Sequence, residues 1–375
     1  MQIRAAVLSD MTHTSPYSVS MPLEVGDVEL APPGAGEVLV AIESAGLCHS
    51  DLSVINGSRP RPMPMLLGHE AAGRVLETGS GVHTAAKGDH VVFSFVPSCG
   101  LCPPCVSGRP VLCQPAAAAS GAGTLLSGDR RLSQGGSYVN HHLGVSGFAS
   151  HAVMAQESVI VIDRELPFDK AALFGCALLT GVGAVVNTAE VRPGETVAVF
   201  GIGGIGLSMV MGARAAGASR IVAVDRSDAK LADAARVGAT DTVRFEAGVA
   251  SQIQELTRGG VEVALEAAGV TQVLSEAYQS TKSGGRTVTV GLPDPSEQIA
   301  LSPVQLVGQE RTLKGSYMGS VWPRRDIPRF IAMYQSGLLP IDALLSGSLE
   351  LEEVNAGFDR LAAGEALRLI LHPSA

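Results

Sequence analysis

The chain has 375 residues, a length that suits two domains better than one small core. Hydrophobic residues make up 46% against 17% charged, and aromatics only 4%, so a large aliphatic interior is expected. The net charge of −9, with no run of Lys or Arg, argues against a nucleic-acid partner or an anionic membrane surface.

The first apolar run, Ala5–Leu8, is too short for the core of a secretory signal. A cytoplasmic protein is therefore expected, in a compartment where thiolates bind metals more readily than they form disulfides. Strand candidates Glu37–Ala45, Ala72–Glu77 and His90–Phe95 follow, punctuated by Gly and Pro, the texture of a small, mostly β domain. Between about Cys99 and Gly136, thiols, prolines and Gly-Ser clusters predict loop.

From about residue 177 the pattern becomes regular. Strand candidates Thr196–Phe200, Ile221–Asp225, Thr242–Phe245, Val261–Glu266 and Arg286–Val290 alternate with helical stretches at Ile205–Ala216, Ala229–Val237 and Val273–Ser280. That alternation predicts an α/β fold with a parallel, doubly wound sheet, to which Arg311–Ser316 adds a sixth strand. The tail, with helices around Ile327–Ser336 and Leu351–Ala363, is expected to pack back on the first domain. Residues 1–177 and 319–375 then form one domain with a thiol lobe at about 97–115, and 178–318 form the other. Thr196–Ala213 carries no charge, but its five glycines predict a buried strand, a glycine turn and a helix start, and not a membrane span.

Gly201-Ile202-Gly203-Gly204-Ile205-Gly206 fits G-x-G-x-x-G, directly after the apolar run Val197–Phe200. In that setting Gly201 permits the tight turn, Gly203 admits a pyrophosphate, and Gly206 lets helix and strand pack closely. The helix N-terminus offers free N–H groups to the phosphates. Asp225 ends the next strand, placed to accept hydrogen bonds from a ribose diol and to repel a 2′-phosphate, so NAD is expected over NADP. A solvent-exposed Asp capping a helix is the plainer alternative, and Arg226 beside it softens the discrimination.

Every cysteine falls in a pattern that suits a metal. Cys99, Cys102, Cys105 and Cys113 form a C-x₂-C-x₂-C-x₇-C ladder that suits a closed tetrahedral zinc. Two disulfides or an iron–sulfur cluster are the alternatives. Cys48-His49-Ser50-Asp51, Gly68-His69-Glu70 and Phe174-Gly175-Cys176 supply two thiolates and one imidazole, a set that leaves the fourth zinc position free for substrate. Taken singly, Cys176 reads as a packed core thiol and His69 as a structural histidine; together, ahead of a dinucleotide turn, they read as ligands.

In these motifs the chain resembles the zinc-dependent medium-chain alcohol dehydrogenases over essentially its whole length. Its length and the segment from Pro115 to Leu143 are similar to the long-chain and thiol-dependent formaldehyde branch. The resemblance implies a GroES-like catalytic domain, a Rossmann domain for NAD, two Zn²⁺ per chain and a homodimer. It implies that Cys48, His69 and Cys176 bind the catalytic zinc, with Glu70 behind it and Asp51 hydrogen-bonded to the His69 ring. The Cys99, Cys102, Cys105 and Cys113 set would hold the structural zinc.

By the same resemblance Ser50 takes the alcohol proton, and Thr180 and Ile205 lie near the nicotinamide. Gly201, Gly203, Gly204, Gly206, Asp225 and Lys230 bind the cofactor, and His49 and Arg368 contact its pyrophosphate. Phe95, His142, Leu143 and Leu292 line the substrate pocket, Leu292 also touching the cofactor, with Arg59 at its mouth. The sequence departs from the family at His49, often Arg; at Ser53, where several relatives end a proton relay with His; and at Arg59 and His142, often apolar.

The implied activity is hydride transfer between a primary or secondary alcohol and NAD, with an aldehyde or ketone in reverse. A glutathione- or mycothiol-dependent formaldehyde dehydrogenase is the second reading. A zinc- and dinucleotide-binding protein without catalysis is a distant third.

Overall fold

A computed structural model describes residues 1–374. The chain divides into two compact units: residues 1–176, 322–328 and 345–375, and residues 177–321 and 329–344.

The first unit is mostly β. Strands Gln2–Leu8, Leu23–Leu30, Leu132–Gln134, Ser137–His141 and Met65–Leu66 close into a small barrel. A second sheet runs Val159–Ile162, His90–Phe93, Glu70–Thr78, Glu37–Gly46, Arg368–His372 and Leu345–Glu350, with His151–Ala155 also paired to Glu37–Gly46. Inward-facing aliphatic residues such as Val7, Leu23, Val40, Ile42 and Leu66 share one core with Phe93, Phe148 and Phe358. Closing the barrel removes the exposed edges that a short-stranded β unit otherwise leaves.

The second unit is a six-stranded parallel sheet in the order Asp241–Arg244, Arg220–Asp225, Thr196–Phe200, Val261–Glu266, Thr281–Thr289, Thr312–Gly315. In chain order that is 3-2-1-4-5-6, so the direction of winding reverses beside Thr196–Phe200, where such sheets bind dinucleotides. Val197, Ala198, Val199 and Phe200 are all buried, as a strand covered on both faces requires. The uncharged span from Thr196 is the strand, turn and helix its glycines predicted. Among the described residues no helix is long and apolar enough to cross a membrane.

Several boundaries differ from the sequence reading. The stretch predicted as loop holds helix Gln114–Ala122, which ends where Gly123 adopts φ +67°, and strand Leu132–Gln134. An alanine run carries no apolar stripe, so its helix leaves no periodic signal. Helix Val249–Thr257 and the start of strand Thr281–Thr289 were also absent from the reading, both lying beside glycines that read as turns. The tail does not go wholly to the first unit: residues 329–344 group with the second, and the division falls after Pro328, inside helix Pro323–Gln335.

Candidate metal centre and dinucleotide turn

Cys48 ends the run out of strand Glu37–Gly46 and stands as N-cap of helix His49–Ile55, whose first turn carries Asp51. His69 stands just before strand Glu70–Thr78, which Glu70 opens, and Cys176 follows helix Phe168–Leu173. Three glycines let these segments converge. A Cβ at Gly46 would lie 2.6 Å from Glu70 Oε1, one at Gly68 2.6 Å from the Phe148 nitrogen, and one at Gly175 2.8 Å from the Phe93 oxygen. Gly68 also holds φ +89°, which a residue with a side chain adopts only under strain.

The result is a buried cluster in which one ligand atom each from Cys48, His69 and Cys176 lies within 4.8 Å of the others. The Nδ1 edge of His69 turns to Asp51 Oδ1 at 3.1 Å, and its Nε2 is buried with no partner. An imidazole nitrogen left bare beside two sulfurs fits a metal ligand, and S₂N is a donor set that zinc favours. Cys176 and, more weakly, Arg368 and His69 hold the Cys48 thiol well below its ordinary range against the effect of burial, whereas Cys48 and burial push Cys176 up. One thiolate is thus stabilised before any cation arrives.

Glu70 lies behind this cluster, with Arg368 Nε 3.4 Å from its Oε1. Burial raises the Glu70 carboxyl to about 7, the Arg368 guanidinium opposing the shift. Arg368 is itself buried, and its Nη2 reaches to 3.8 Å from Cys48 Sγ. Asp51 is fully buried; burial works to raise its carboxyl, but His69 and His142 hold it below the ordinary range. Phe95 meets the His69 ring edge on, at 5.2 Å between centroids.

Cys99, Cys102, Cys105 and Cys113 also lie with their sulfurs within 4.8 Å of one another, all as free thiols. The backbone N–H groups of Leu101 and Cys102 point at Cys99 Sγ, and that of Cys99 at Cys113 Sγ. Such N–H···S contacts orient and stabilise thiolates around a cation.

In the second unit Gly203 caps helix Gly204–Ala215. Gly201 turns at φ +86°, and a Cβ at Gly206 would stand 1.8 Å from the Gly201 oxygen, whereas one at Gly203 would meet nothing within 4 Å. The turn is therefore closed where the chain packs on itself and open at the helix end. Asp225 Oδ2 accepts from Ile202 N–H and Oδ1 from Ser227 N–H. The cap of the following helix is Ser227, not Asp225. Lys230 lies in that helix, Ile205 in the first turn after the glycines, and Thr180 in helix Ala177–Gly183. Arg226 stacks over Phe245.

Of the remaining residues picked from the sequence, His142 is buried against Asp51 and His69, Leu143 follows it at φ +53°, and Ser50 is half-buried. His49 and Leu292 are exposed, and Arg59 is half-buried, its N–H bonded to the Ser53 carbonyl. The contact of His142 with Asp51 and the glycine at position 46 are not signalled by the sequence; no local spacing links them to the cluster.

Residues 34–164 match the alcohol dehydrogenase GroES-like domain and residues 204–336 the zinc-binding dehydrogenase domain. The chain is 36% identical over 361 residues to an S-(hydroxymethyl)glutathione dehydrogenase of Synechocystis, covering 95% of this chain and 98% of that one. It belongs to the zinc-dependent medium-chain alcohol dehydrogenase family. An alcohol dehydrogenase zinc-binding domain protein from Burkholderia ambifaria superposes with TM-score 0.93 at 34% identity, covering 99% of each chain. Benzyl alcohol dehydrogenase from Acinetobacter calcoaceticus does so with TM-score 0.92 at 29% identity, again over 99% of each. The chain is a zinc-dependent oxidoreductase acting on CH–OH donors.

Proposed function

We propose that this dehydrogenase oxidises primary or secondary alcohols with NAD, holding one zinc through Cys48, His69 and Cys176 and another through Cys99, Cys102, Cys105 and Cys113. The observation that carries the reading is the bare, buried His69 Nε2 beside two cysteine sulfurs. When bound, zinc supplies Lewis acidity to the alcohol oxygen, and the nicotinamide accepts the hydride.

The chain's own residues do the rest. Asp51 holds the His69 proton on Nδ1, which leaves the Nε2 lone pair for the cation. Ser50 takes the proton released by the alcohol. The open helix end at Gly203 and Gly204 binds the pyrophosphate, and Asp225 accepts from the adenosine ribose hydroxyls. Phe95 and His142 flank the His69 ring and, with Leu143 and Arg59, bound the substrate; Thr180 and Ile205 position the nicotinamide. A homodimer in the cytoplasm completes the reading, and light scattering on the purified protein checks the assembly.

A second reading has one specific support: the Synechocystis relative, named for a hydroxymethyl-thiol substrate. NADH formation from a panel of alcohols, and from formaldehyde with and without glutathione or mycothiol, separates the two. Turnover of simple alcohols supports the first. Formaldehyde oxidation that requires a thiol, with no alcohol turned over, supports the second.

A further inference from the structure

Asp51 faces two imidazoles. His142 Nδ1 lies 3.2 Å from Asp51 Oδ1, the same oxygen that His69 Nδ1 approaches at 3.1 Å and that accepts from the Gly68 N–H at 3.1 Å. The His142 ring also meets His69 edge on, with centroids 5.5 Å apart and planes at 87°. Its backbone is held from both sides. The N–H donates to the Leu66 carbonyl and to Ser146 Oγ, and the carbonyl accepts from Val145 and Ser146.

A carboxylate sealed from water is stable only when donors surround it. Asp51 is 0% exposed and His142 1%. His142 Nδ1 and Asp51 Oδ2 are both buried without a hydrogen-bond partner. Beside His142, His69 Nδ1 and the Gly68 N–H approach the same carboxylate.

We propose that His142 is a positioning residue for the metal centre: its Nδ1–H fixes the Asp51 carboxylate that in turn fixes His69, and so slows escape of zinc from Cys48, His69 and Cys176. This rests on the ligand assignment made above.

The test follows zinc release from the loaded enzyme into EDTA with a colorimetric indicator. Wild type should release two zincs in separable phases, and His69→Ala should delete the phase belonging to the centre. If His69→Ala deletes neither phase, the ligand assignment fails, and the proposal with it, by a readout of its own. With that assignment standing, His142→Phe keeps the ring and its edge contact but lacks the N–H. It should speed the centre's phase about tenfold and leave the four-thiol phase unchanged. His142→Asn, whose amide can donate to Asp51, should restore most of the wild-type rate. Unchanged release in His142→Phe, acceleration of both phases, or no rescue by Asn would overturn the proposal. So would a third zinc per chain that disappears with His142→Phe, since His142 would then be a ligand.

Discussion

The four-thiol lobe and the Cys48–His69–Cys176 cluster lie in the same unit and are built in opposite ways. The lobe draws its sulfurs from one short stretch of chain, and three of the four thiols are part-exposed. The other cluster gathers residues far apart in sequence, from the ends of two strands and two helices, and all three are buried. A local ligand set needs the metal to order the loop that carries it. A dispersed one is ordered by the fold, and the metal arrives at a prepared site. Loss of a lobe ligand should therefore register first in stability, and loss of a central ligand first in turnover.

The sharpest way to break that contrast is His69→Ala. Turnover should fall at least about a thousandfold, the scale of several kcal/mol of lost charge stabilisation, with one zinc retained by metal analysis and the melting temperature little changed. A large fall in melting temperature would erase the distinction. Cys102→Ser should show the converse: loss of the other zinc, a melting temperature lower by on the order of 5 °C by calorimetry, and a smaller loss of turnover.

A change in the other unit serves as the control. Asp225→Ser should shift kcat/KM toward NADP by about tenfold, the worth of one charge-assisted hydrogen bond, while both zincs stay bound. Loss of either zinc would mean that the two units do not respond separately.

A further test concerns acid, where metal loss has to be distinguished from unfolding. Burial, with help from Arg130 and Arg131, lowers the His141 imidazole to about 3. The unfolded chain takes up this proton below its ordinary value of about 6.5, but the folded chain does so only near 3. The stability contributed by neutral His141 is thus complete above pH 6.5 and is lost as pH falls from there toward 3, at no more than about 1.4 kcal/mol per pH unit. Denaturant titrations of His141→Gln at pH 7 and pH 5 should show a smaller pH difference than wild type. An equal difference would shift the acid sensitivity to other groups.

The same contrast explains what was legible in the sequence. The cysteine ladder and the glycine turn announce themselves because their chemistry depends on near neighbours. The parallel sheet was readable because strands such as Thr196–Phe200 and Val261–Glu266 are short, mostly apolar runs between helical stretches. Helix Gln114–Ala122 escaped because alanine gives no face, and the split of the tail at Pro328 depends on which residues it meets in space. The approach of His142 to Asp51 joins residues on different elements, and no period or spacing encodes it.

Gly175 binds nothing, yet a single added methyl there would press on the Phe93 carbonyl at 2.8 Å and come within 3.6 Å of the Glu70 backbone. Something there must give to relieve the crowding, and Cys176 is the next residue in the chain. Screens for inactive variants that track only residues capable of coordination or proton transfer would pass over this position, although an emptiness there sets where the third donor stands.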